Sequence, residues 1–169
     1  MKKSIMKMLA KVAFIALILI SFNQVVWAER LQMPRQGTTT YGTYSTTRFL
    51  SNLDMGEVGS DAVAELDGTT RNTDGQKFFD NMSVRCVYYL KVRGGIRKST
   101  GACIETDGDG DKVFTTFDSG TKTHTLIGGT GKYKGISGTA EYTTAKSVPA
   151  PEKGRGEIIE EWKATWQFK

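Results

Sequence analysis

Two acidic residues in this chain fall where strand patterning turns them toward apolar neighbours. In the closing segment Ile158, Trp162, Ala164, Trp166 and Phe168 share one face at period two, and Glu160 falls among them. Asp80 is placed in the same way between Phe78 and Met82. A carboxyl group on an apolar face has a raised pKa unless a cation pairs with it, and so can act as a general acid or base near neutrality. Together with Tyr88, Trp162 and Trp166, such carboxyls would make a pocket for a small molecule, with Glu160, Asp80 and Tyr88 as the candidates for any catalysis. The plainer account, which the sequence favours, leaves each carboxyl at a strand end, in water or against an arginine or lysine. No nucleophile and base can be argued beside them.

Other constellations are weaker. Asp107, Asp109 and Asp111 alternate with glycines and could set oxygens around a calcium ion. As an EF-hand loop the run fails, because its sixth position is Lys112, its twelfth is Asp118 and no helix flanks it. A hairpin turn whose Asp side chains accept backbone N–H groups is the simpler account, so no metal is expected. The run Gly128 to Tyr133 is superficially like a phosphate loop, but Leu126 and Tyr133 stand where that pattern needs glycine and Ser or Thr. His124 is the only histidine, too few soft ligands for zinc or copper, and a lone strand histidine reads as structural. No cofactor is expected. Arg85, Tyr89, Lys91 and Arg93 form a basic strand face, which reads as a solvated exterior.

The element that must position Tyr88 is the stretch from Phe78 to Thr106. Phe78, Met82, Val84, Cys86, Tyr88, Leu90 and Val92 alternate with polar residues, as in a half-buried strand. Gly94-Gly95 then reads as a two-residue hairpin turn, since both glycines accept positive φ. Cys86 lies eight residues before Gly94 and Cys103 eight after Gly95, so the only two cysteines face each other across the hairpin and can form a disulfide. Two unrelated buried thiols are the alternative.

Residues 1–28 read as a secretory signal. Four lysines precede the apolar core Val12 to Phe22, and Val26-Trp27-Ala28 supplies small residues at the cleavage subsites. An uncleaved anchor is the alternative. Those four lysines carry most of the net +5 charge: 19 basic and 18 acidic residues remain after them, which gives no basic field for nucleic acid. After cleavage no membrane segment is left, and export, to the periplasm or outside the cell, would preserve a disulfide.

Residues 29–37 read as a flexible lead-in and 38–169 as one domain. Strands are expected over Thr38–Phe49, Ala62–Leu66, Phe78–Val92, Ile96–Thr106, Lys112–Phe117, Thr121–Ile127, Thr139–Thr144 and Glu157–Lys169, with a long loop over Ala145–Gly156. Eight strands, regular turn signals and no amphipathic helix predict an all-β, antiparallel eight-stranded barrel with a cross-strand disulfide.

The segment Leu126 to Tyr142, LIGGTGKYKGISGTAEY, with the preceding CIETDGDGDKVF, resembles the glycine-rich segment of the allene oxide cyclase and dirigent barrel superfamily, in the manner of its small exported bacterial members. The resemblance implies a squat barrel whose lumen can hold an apolar small molecule, and it suggests a homo-oligomer. The superfamily includes a cofactor-free cyclase and proteins that steer radical coupling, but none of their catalytic positions can be matched here. The favoured function is therefore a non-enzymatic exported barrel that binds a small apolar or amphipathic ligand, through Tyr88, Trp162, Trp166 and Glu160, or a partner protein. A cofactor-free cyclase or isomerase and a structural surface protein with a filled barrel are the alternatives.

Overall fold

A computed structural model describes residues 33–148 and 155–169; the expected signal, 1–28, lies outside the described residues. Eight strands follow in order: β1 (Gln36–Asp54), β2 (Ser60–Asn72), β3 (Ser83–Arg93), β4 (Ile96–Thr106), β5 (Lys112–Asp118), β6 (Thr123–Gly129), β7 (Ile136–Val148) and β8 (Arg155–Phe168). Each pairs antiparallel with its neighbours in sequence, and β8 pairs with β1 to close an eight-stranded barrel. Closure leaves no free sheet edge. Among the described residues no helix is long and apolar enough to cross a membrane.

The central hairpin has the register that the glycine pair dictates. Gly94 and Gly95 take φ of 55° and 77°, Arg93 faces Ile96, and Cys86 faces Cys103 in a formed disulfide. Both cysteines point inward, so the bridge packs under Leu66 and Phe117.

The strand expected from Phe78 begins only at Ser83. Phe79 and Asn81 adopt positive φ, 55° and 53°, which breaks the pleat and folds residues 73–82 across one end of the barrel. Phe78, Phe79 and Met82 are buried there with Trp166 and form a floor. Phe79 stacks on Tyr41 at 5.2 Å, and Phe78 meets Trp166 edge-on at 5.7 Å. Polar side chains fix this closure: Asn72 donates to Thr39 Oγ1 and to the Phe78 carbonyl, and Thr39 donates to Asp74.

The expected loop over Ala145–Gly156 is shorter in the fold, because β7 runs to Val148 and β8 starts at Arg155; residues 149–154 lie outside the described residues. Pairing with β8 extends β7, and a bulge between Tyr142 and Thr144 shifts its phase. The extra residue lets Tyr142 and Ala145 both face the lumen, an arrangement that strict alternation forbids.

Candidate functional site: the barrel lumen

Above the floor the barrel is hollow. A cavity of about 450 Å³ opens at the end that carries the β1–β2, β3–β4 and β5–β6 turns, beside Val148 at the end of β7 and Arg155 at the start of β8. Its wall is mostly aromatic and aliphatic. Trp162 on β8 is the hub: its ring lies 6.4 Å from Tyr41, 4.5 Å from His124 and 5.5 Å from Tyr142. Phe117 continues the wall, stacked on His124 at 4.7 Å and tilted against Tyr88 at 6.1 Å. Gly101, directly across the ladder from Tyr88, makes room for these two rings. A Cβ there would stand 2.5 Å from Tyr88 Cβ and 2.9 Å from Phe117 Cε1.

Two carboxyl groups face this wall. Glu160, two residues from Trp162 and therefore on the same face, lines the cavity, and burial pushes its pKa up to about 7. Glu105 on β4 lies deeper. It is 5% exposed, its Oε2 has no hydrogen-bond partner among the described residues, and burial raises its pKa to about 7. Neither carboxyl forms an ion pair among the described residues. Tyr41 is held well above the ordinary phenol range by burial first, and then by the negative charges of Glu105 and Glu160. Tyr88 is raised chiefly by burial, and its hydroxyl donates to Thr47 Oγ1 at 3.1 Å. His124 is pushed down to about 4 by burial, so it stands in the wall as a neutral imidazole. Trp162 Nε1 also lacks a hydrogen-bond partner among the described residues.

The fold brings Glu160, Tyr88 and Trp162 together in the lumen. Trp166 is buried in the floor instead, its indole N–H donating to the Pro34 carbonyl. Asp80 is not a lumen group. It sits in the closing segment, where it accepts from the Asn72 backbone N–H and from Asn81 Nδ2. The reversal at Phe79 moves it off the face that strict alternation assigned to it.

Glu105 escaped sequence reading although the signal was present. The register that pairs the cysteines also sets Glu105 opposite Val84, on the apolar face of the hairpin. His124 was legible as a strand residue, but its contact with Trp162 joins β6 to β8 across the lumen, which no local pattern encodes.

The aspartate triplet already holds a lysine. Lys132 Nζ lies 2.5 Å from both Asp107 Oδ2 and Asp109 Oδ2, and 4.0 Å from Asp111 Oδ2. Asp107 also accepts the backbone N–H groups of Asp109 and Asp111, as a turn-capping side chain does. On the outer wall Arg85 shares Glu65 with Arg48, and Arg93 pairs with Asp61.

No protein-family model matches the chain, and no curated protein matches it in sequence. Among solved structures it is similar to two pterocarpan synthase dirigent proteins, GePTS1 and PsPTS1, each at 12% identity and a TM-score of 0.48. The likeness spans 82% of this chain and 90% of GePTS1, and 81% of this chain and 99% of PsPTS1.

Proposed function

We propose that this protein is an exported barrel that holds a small, largely apolar or amphipathic ligand in its lumen. The observation that carries the reading is the open cavity of about 450 Å³, walled by Trp162, Tyr142, Phe117 and Tyr88 and containing Glu160. A space of this size suits a molecule of drug-like dimensions, and a mostly apolar wall with a few polar groups is the usual composition of such sites. The Cys86–Cys103 disulfide supports export, since such bonds persist in oxidising compartments.

A second reading has one observation in its favour. Glu160, with a pKa of about 7, has the proton affinity of an effective general acid or base at neutral pH, as a cofactor-free cyclase or isomerase would need.

The first experiment is native mass spectrometry of the exported protein, with extraction of any small molecule that accompanies it. A co-purifying molecule supports the proposal. A bare protein mass, together with no response of tryptophan fluorescence to added apolar probes, refutes it. Once a ligand is known, its fate separates the two readings: a binder releases it unchanged, whereas an enzyme converts it, and Glu160→Gln at saturating ligand loses that turnover.

A further inference from the structure

We infer that the ligand carries a positive charge: the lumen is matched to a small lipophilic amine or other organic cation, with its apolar body against the aromatic wall and its charge toward Glu160 and Glu105. This rests on the reading of the lumen as a binding site and names the chemical class that the site selects.

Glu160 and Glu105 both face the cavity, and neither has an ion-pair partner among the described residues. Burying a carboxylate without a counter-charge is costly, so a carboxyl in this position either holds its proton or gains from an incoming cation. The other titratable groups around the interior do not meet that need. Tyr41 on β1, Tyr88 on β3 and Tyr142 on β7 are phenols, and His124 on β6 is neutral. The cations that line the cavity, Arg97 on β4 and Arg155 on β8, belong to its mouth, where Asp118 and Glu157 also lie.

The aromatic wall suits the same charge. A cation is attracted to the face of an aromatic ring, best to tryptophan, and more strongly where water is excluded. Trp162 is adjacent on its strand to Glu160 by the two-residue repeat, and Tyr41, Tyr142 and His124 cluster around it. Carboxyl and aromatic groups thus converge on one volume. An anionic ligand would bring its charge toward two acids. A neutral ligand would leave the acids without a partner.

The test is a matched set of probes with one apolar body and three charges: 2-naphthylmethylamine, 2-naphthylmethanol and 2-naphthylacetate. Binding is followed by titration calorimetry on the intact disulfide-bonded protein. The ammonium favours ionised carboxyls, so amine binding releases protons and should tighten by about tenfold or more between about pH 5.5 and about pH 8. The alcohol should not tighten over that range, and the acid should bind least. Glu160→Gln and Glu105→Gln together should abolish the preference for the amine while retaining the alcohol, which also shows that the variant is folded. Equal binding of amine and alcohol, or tightest binding of the acid, overturns the charge assignment and leaves the binding site standing. Failure of all three probes to bind overturns both.

Discussion

His124 lies nearly parallel to Phe117, with ring centroids 4.7 Å apart and planes 14° from parallel, and Trp162 closes on it at 4.5 Å. Sandwiched in this way, the imidazole resists protonation, with a pKa of about 4 against an ordinary 6.5. Between those values the unfolded chain binds a proton that the folded chain refuses, so this residue makes the barrel less stable as pH falls from 6.5 toward 4. His124→Phe removes that penalty. Relative to the parent, the variant should gain about 3 kcal/mol near pH 4 and little above pH 7, measured by urea denaturation at each pH. An unchanged pH profile would place the imidazole in water.

Glu105 works with the opposite sign. Its pKa is raised from 4.5 to about 7, so its contribution is fully present below about pH 4.5 and is lost as pH rises through 7. Glu105→Gln keeps the shape and removes the ionisation. It should raise stability by up to about 3 kcal/mol at pH 8 and leave it nearly unchanged at pH 4.5, in the same denaturation series.

Lys132 should be replaceable by a metal ion only after it is removed. Asp107, Asp109 and Asp111 each present an oxygen within 4.8 Å of the others, and the lysine ammonium sits among them. Burial opposes ionisation of Asp107, but bonds to Lys132 and to backbone N–H groups outweigh it and lower its pKa. Its stabilising effect is therefore present at neutral pH and lost as pH falls below the ordinary 3.8. Lys132→Met should cost roughly 1–3 kcal/mol at neutral pH, less in acid. Millimolar calcium should restore part of the lost Tm in the variant and leave the parent unmoved. A parent that responds to calcium would show that the lysine gives way.

The Cys86–Cys103 bridge joins neighbouring strands and closes a short loop, with a sequence separation of 17. Cys86→Ser with Cys103→Ser should lower stability by about 2–4 kcal/mol in the chain-entropy picture. Mass measurement of the oxidised parent should show the two-hydrogen deficit of one disulfide, and a fully reduced mass would contradict the bridge.

Sequence by itself determined the barrel class, the position of the central hairpin and the disulfide. Period-two alternation fixes which residues share a face, and a two-glycine turn fixes which positions oppose each other; from Gly94-Gly95 outward the pairing of Cys86 with Cys103 follows from counting. It also placed Glu160 beside Trp162, because both lie on one face of β8. Counting failed wherever the backbone left strict alternation. Positive φ at Phe79 and Asn81 turned an expected strand into the barrel floor and took Asp80 out of the lumen, and the bulge in β7 put Tyr142 and Ala145 on the same side. What only the tertiary structure decided is the volume left open in the middle and which side chains meet across it. His124 on β6, Trp162 on β8, Phe117 on β5 and Glu105 on β4 become neighbours of one cavity through barrel closure. Closure depends on the summed twist and stagger of all eight strands, a global quantity that no single stretch of sequence displays.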